Sequence, residues 1–168
     1  MSKCTCFDSK PAGKSLLERL PACTCRCKSG IRLSAQENGR KFVLVTDDWN
    51  KVEKIKVDGA LIYEQTTEKC DYFFFYNPDL KQEKREAYFV ELKGKDLSKA
   101  INQIITTLQT FIREGIMTNI SLRKAFIVSS RVPQTDRTIE KLKEDMVKKH
   151  NCPVKIKNNM IEYEPEKR

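Results

Sequence analysis

One histidine, His150, is all that this sequence of 168 residues contains, and that scarcity excludes much hydrolytic chemistry. A Ser-His or Cys-His mechanism would have to use this one side chain, near the end of a predicted helix, where an imidazole more often caps the C-terminus than serves as a base. Long apolar runs are lacking too. There is no stretch of the roughly 18 apolar residues that cross a bilayer as a helix, and Met1 to Lys10 has no signal-peptide core, so the expectation is a cytoplasmic protein with no membrane partner. A phosphate-binding loop is missing as well. Pro11-Ala12-Gly13-Lys14-Ser15 lacks the first glycine of that motif, and no strand precedes it. No internal repeat or low-complexity linker divides the chain, whose length suits one domain with a sizeable core.

What is plentiful is positive charge. The 32 Lys and Arg exceed the 23 Asp and Glu to give a net +9, which points to a polyanionic partner such as nucleic acid without specifying a fold. Seven cysteines in a reducing compartment suggest metal ligation, redox chemistry or packing rather than disulfides. Five of them, Cys4, Cys6, Cys23, Cys25 and Cys27, fall within residues 1–30, a cysteine-rich N-terminal segment with only Leu16, Leu17 and Leu20 as an apolar patch. Their CxC spacing supplies enough thiolates for a Zn²⁺ site, with an iron-sulfur cluster as the less favoured occupant and a flexible reduced tail as the alternative. Cys70 and Cys152 flank apolar stretches and read as buried.

Hydropathy patterning gives the elements. Ser34 and Glu37 form a capping-box pattern that predicts one helical turn before Asn38-Gly39. Strand character marks Phe42–Val45, then Val52, Ile55 and Val57 continuing past Asp58-Gly59 to Leu61-Ile62, then Tyr72–Tyr76. A polar loop leads into Ala87–Lys93, which ends at Gly94. Leu97, Ala100, Ile101, Ile104, Ile105, Leu108, Phe111 and Ile112 form one helical stripe, with Asp96 to cap it and Gly115 to stop it. A buried strand at Ala125–Val128 follows, then a helix opened by Thr135 or Asp136 and a last strand at Val154–Ile156; the tail after Glu162 reads as solvated. The class is α/β, a mixed β-sheet flanked by helices.

Within this pattern Asp71 opens an aromatic strand, while Glu91 and Lys93, two apart on the next strand, share one face. If the two strands pair, two hard oxygen ligands and an ammonium group meet near the end of the sheet, a set suited to phosphodiester hydrolysis with a divalent cation. An acid-x-Lys triplet alone means little in a chain that is 33% charged, and Asp79-Leu80-Lys81 has the same spacing in a loop. Placement at a strand end before a capped helix is the signal.

These residues resemble the PD-(D/E)xK superfamily, the restriction-endonuclease-like and Holliday-junction-resolvase-like nucleases. In that superfamily an acid begins one strand, ExK lies on its hairpin partner and a long amphipathic helix follows; here Lys69-Cys70-Asp71-Tyr72, Glu91-Leu92-Lys93 and residues 97–114 repeat the order. Cys70 stands where the family name has proline. The resemblance covers roughly residues 50–130 and implies a nuclease-like domain over residues 31–168. It also implies a metal held by Asp71, Glu91 and the backbone carbonyl of Leu92, Lys93 completing the site, Gln103 as the helix glutamine of some members, and Glu37 as the only candidate for the acid some place on a preceding helix. The expected function is a Mg²⁺- or Mn²⁺-dependent endonuclease acting on DNA ahead of RNA, on duplex or branched substrates. A homodimer would supply two sites for two strands. The alternative is a non-catalytic nucleic-acid-binding or protein-interaction module on the same fold. Lys93, Lys95, Lys99, Arg113, Arg123, Lys124 and Arg131 bracket the site as candidate phosphate contacts. Trp49, Tyr72 and Tyr88 are candidate base stackers that strands more often bury.

Overall fold

In the computed structural model, which describes residues 11–25 and 30–167, the strand order follows from which segments are apolar on both faces. The strand β6 (Arg85–Lys93) is buried from Glu86 to Leu92, as expected of a central strand covered on both sides. It pairs antiparallel with β5 (Tyr72–Tyr76) and parallel with β7 (Ile120–Ser129). With β4 (Val52–Lys56), β1 (Thr24–Cys25) and β8 (Val154–Asn158) they make a six-stranded mixed sheet in the order β1-β4-β5-β6-β7-β8.

Each parallel step needs a crossover. The first is α2 (Leu97–Arg113), whose Asp96 side chain accepts the Lys99 N–H at 2.9 Å. It ends where Gly115, at φ +77°, lets the Ile116 N–H reach the Phe111 carbonyl and its own N–H reach that of Ile112, a Schellman closure. The second crossover is α3 (Arg137–His150), capped by Asp136 and closed by Asn151 in the left-handed region. Alternation along the strands sends Phe73, Phe75, Phe89, Ala125 and Ile127 to one face, where α2 and α3 cover them with Ile101, Ile104, Leu108, Phe111, Ile139 and Met146.

The opposite face carries a layer that the hydropathy pattern did not suggest. Ser34–Glu37 is not a helical turn: β2 (Arg32–Glu37) and β3 (Arg40–Val45) form a hairpin, and β9 (Met160–Tyr163) adds to β3 in parallel. Asn38 and Gly39, at φ +47° and +78°, make the two-residue turn that such hairpins favour, and this outweighs the Ser-x-x-Glu pattern. Leu33, Ala35, Phe42, Leu44 and Ile161 of this sheet pack on Phe74, Tyr76, Tyr88, Val90, Leu92, Phe126 and Val128. The tail after Glu162 is likewise not wholly solvated, because Tyr163 packs its ring 4.8 Å from Phe126 and 5.3 Å from Tyr88.

The end of the cysteine-rich segment joins the helical face. A capping box of Ser15 and Glu18 opens α1 (Leu16–Cys23), Leu16 and Leu20 pack against the core, and Cys23 lies inside it with Ile55 and Val57. Among the described residues no helix is long and apolar enough to cross a membrane.

Candidate active site

The β5–β6 ladder runs from Tyr76↔Glu86 to Tyr72↔Val90, and one step further the backbone pairing gives way to side chains. The Asp71 N–H donates to Glu91 Oε2 at 3.1 Å, and the Leu92 N–H donates to Asp71 Oδ2 at 2.7 Å. Each carboxylate thereby binds the main chain of the other's strand. By alternation Asp71 and Glu91 share the face of Phe73 and Phe89. Glu91 is 1% exposed. Lys93, at the rim of the same strand, holds its Nζ 3.9 Å from Glu91 Oε1. The structure brings together the three residues that carried the sequence argument. Asp79-Leu80-Lys81 lies in the polar turn between β5 and β6, where Asp79 Oδ1 accepts the Lys81 N–H.

Burial pushes the Asp71 carboxyl up from 3.8 to about 6, and the charges of Glu37 and Asp58 push the same way, against the Leu92 N–H and Lys93. Glu91 is also driven upward, first by burial and then by Asp71, with Lys93 opposing. The buried Glu91 and the half-buried Asp71, side by side, thus carry more negative charge when ionised than one partly exposed ammonium offsets. Their donors are hard oxygens, and Mg²⁺ needs only one or two carboxylates because it keeps several waters. The residues fit that ion or Mn²⁺, with Leu92 bringing its main chain beside the Asp71 carboxylate. Among the described residues no group of three or more His, Cys, Asp or Glu side chains forms a ready-made cage.

A cleft of about 300 Å³ opens beside Asp71, lined by Gln36, Glu37, Lys56, Asp58, Gly59, Asp71 and Tyr72, with neither Glu91 nor Lys93 in its lining. Glu37 reaches it from the end of β2, so it is an acid on a strand and not on a helix. Asp58 was not singled out by sequence. Its N–H and that of Val57 lie 3.3 and 2.9 Å from the Asp71 carbonyl, and its Oδ1 is 3.4 Å from Lys69 Nζ. Tyr72 is half-buried at the cleft, Tyr88 is fully buried and Trp49 sits in a short 3-10 turn that leads directly into β4.

Gln103 faces the peptide that delivers Asp71: its Nε2 donates to the Lys69 carbonyl at 3.0 Å, while Oε1 is buried without a hydrogen-bond partner among the described residues. Thr107, one turn on and fully buried, accepts the Cys70 N–H and donates to the Gln103 carbonyl, both at 2.8 Å. The helix therefore clamps residues 69 and 70 where the ladder has ended. Thr107→Val keeps the shape and leaves the Cys70 N–H unpaired, which should cost about 1–3 kcal/mol of stability. Thr107→Ser should cost far less, and denaturant unfolding of both variants is the check; a neutral valine variant would contradict the clamp.

The zinc set divides. Cys23 and Cys25 are buried, Cys23 pushed up by burial, and Cys4, Cys6 and Cys27 lie outside the described residues. Cys70 and Cys152 are buried, as expected. His150 is the last residue of α3, and its carbonyl accepts from Arg123 Nη1 at 3.1 Å.

No family model, curated protein or solved structure matches the chain.

Proposed function

We propose that this chain is a metal-dependent endonuclease that hydrolyses phosphodiester bonds of DNA, duplex or branched, on a restriction-endonuclease-like core. The observation that carries the reading is the meeting of Asp71 and Glu91 across the end of the β5–β6 hairpin, with the Lys93 ammonium 3.9 Å from Glu91. The resemblance to the PD-(D/E)xK superfamily supports it, because order along the chain and position on the strands agree.

In this reading Asp71, Glu91 and the carbonyl of Leu92 hold Mg²⁺ or Mn²⁺. The ion supplies charge to offset that gathering on the phosphoryl oxygens and lowers the pKa of a bound water. Glu91, closed off from solvent, orients its carboxylate through the Asp71 N–H. Lys93, 27% exposed at its side chain, stands where it can hydrogen-bond a phosphoryl oxygen or the attacking water and stabilise charge that develops there. Gln103 and Thr107 act through the main chain, keeping Asp71 in register. Two copies of the chain would give one centre for each strand of a duplex.

Incubation with duplex, single-stranded and branched DNA and with RNA, in Mg²⁺, Mn²⁺ or EDTA, tests the proposal. Cutting of DNA that EDTA stops is expected. Clean binding without cutting on any substrate would support a non-catalytic module instead.

A second expected outcome concerns pH. Because burial raises both carboxyls, Asp71 to about 6 and Glu91 also upward, ion binding must displace their protons, and Mn²⁺ affinity should rise as pH is raised through about 6. Calorimetry in buffers of different ionisation enthalpy counts the proton released. Affinity that stays flat from about pH 5 to 8 would contradict the carboxylate pair as the ligands.

A further inference from the structure

The positive charge of this chain is unevenly answered. On α3, Lys143, Lys148 and Lys149 pair with Glu140, Glu144 and Asp145. Elsewhere Lys51 pairs with Asp47, Arg32 with Glu162 and Arg19 with Glu64. Of the basic residues near the site in sequence, the structure sends several away from it. Arg123 and Lys124 stand opposite Ala87 and Tyr88, in the half of β7 remote from Lys93, where they bond the His150 carbonyl and the Tyr163 hydroxyl. Arg113 is the last residue of α2, roughly 25 Å along the helix from its start.

Lys95 and Arg131 are different. Lys93 pairs with Ser129 at the ends of β6 and β7, so the turns that follow lie side by side, and each carries one of these cations two residues on. Both are exposed, and neither has an ion-pair partner among the described residues. The turns are tied together: the Gly94 carbonyl accepts from the Ser130 N–H at 3.0 Å, Ser129 Oγ at 2.8 Å and Ser130 Oγ at 2.6 Å. Between the turns an open groove of about 600 Å³ is lined by Lys95, Arg131, Val132, Pro133 and Gln134.

Charge therefore changes sign along this end of the sheet. Asp58 beyond β4, paired with Lys69, Asp71 before β5 and Glu91 in β6 make one side acidic; Lys93, Lys95 and Arg131 follow on the β6–β7 side. A phosphodiester chain is repelled by the first half and attracted by the second. We propose that the groove between the β6–α2 and β7–α3 turns, with Lys95 and Arg131 as its phosphate contacts, is the path by which the substrate's sugar-phosphate backbone runs from the Asp71–Glu91–Lys93 centre. The path rests on the nuclease reading for its destination, whereas the binding it describes needs no cutting.

The test is binding of the full chain to a fluorescein-labelled DNA duplex with a single-stranded overhang, in EDTA, as a function of salt. Lys95→Glu/Arg131→Glu is compared with Lys148→Glu/Lys149→Glu, a control on the paired surface of α3. The groove variant is expected to bind at least about 10-fold more weakly, with a log–log salt slope shallower by about 2, because each phosphate contact contributes roughly 0.9 to that slope. The control, which changes the net charge by the same amount at the far end of α3, more than a Debye length of about 8–10 Å from the groove, should stay within about threefold. Equal loss in both variants, no loss in the groove variant, or no binding by the wild type would overturn the path. Wild type that binds through the groove and never cuts would overturn the nuclease reading and leave the path standing; cutting and binding that ignore the groove variant would do the reverse.

Discussion

Asp71→Asn is expected to lower the rate of DNA cutting by about 10²–10³-fold and, at neutral pH, to make the protein more stable. The two effects have one cause. Asparagine keeps the size of the side chain and an oxygen to accept the Leu92 N–H, while removing the negative charge that a metal requires. That same charge is costly to the fold. A carboxyl whose pKa rises from 3.8 to about 6 on folding binds its proton more tightly in the folded state. Stability is therefore greatest, as far as this group is concerned, below the lower value and falls as pH rises through the higher one. The asparagine variant escapes that fall, and at pH 7 it should gain about 1–2 kcal/mol after allowance for partial solvent screening. Below pH 4 the gain should vanish. Thermal or denaturant unfolding across pH checks the sign, and a variant less stable than wild type at pH 7 would contradict the electrostatic account of the pair.

Lys93→Ala should be the other large effect, about 10²-fold or more in the rate of the chemical step, with DNA affinity little changed. The ammonium is the only cation that the structure places against Glu91 among the described residues, at 3.9 Å. Its loss leaves Glu91 more strongly driven toward the protonated form and removes the group that would face the phosphoryl oxygen. Lys93→Arg should not restore the rate, because the planar guanidinium is longer and distributes its charge differently from a compact ammonium. Single-turnover rates with enzyme in excess separate this loss from any change in binding. A fall that appears only as weaker binding would move Lys93 from the chemistry to the backbone contacts beside Lys95 and Arg131.

Legibility in the sequence followed how local each signal was. The helix α2 could be read because its apolar stripe, its Asp96 cap and its Gly115 stop all lie within one segment, and they agree. The strands of Asp71 and Glu91 could be read because Tyr72–Tyr76 and Ala87–Lys93 are apolar runs bounded by polar turns. Glu91 and Lys93 then share a face by alternation alone. The three-stranded sheet could not be read in the same way. β9 is four residues long and exists by pairing with β3, where Lys41 stands opposite Met160, so no local pattern announces it. Ser34 and Glu37 fit a capping box, and only Leu33 and Ala35 facing inward beside the Asn38-Gly39 turn reveal the hairpin. The Ser15–Glu18 box was the true one, but it precedes too few apolar residues to stand out.

The site shows the same division. Asp58 reads as half of a turn dipeptide, and nothing before folding says that its backbone docks on the Asp71 carbonyl. Thr107 did leave a trace. It is a hydroxyl on the apolar stripe between Ile104 and Phe111, and a polar side chain in that position needs a buried partner, which turns out to be the peptide preceding Asp71. The resemblance assigns Gln103 to the chemistry, and its hydrogen bond to the Lys69 carbonyl places it as a support for the strand entry.

The most direct measurement of the central claim is single-turnover cutting of a labelled DNA substrate by wild type, Asp71→Asn and Lys93→Ala in parallel, with Mg²⁺ and with EDTA, each protein first shown to be folded by its melting curve. Cutting by wild type alone, and only with the metal, is the predicted result. Metal-independent cutting, or a rate like that of wild type from either folded variant, would contradict the assignment of Asp71, Glu91 and Lys93 as one hydrolytic centre.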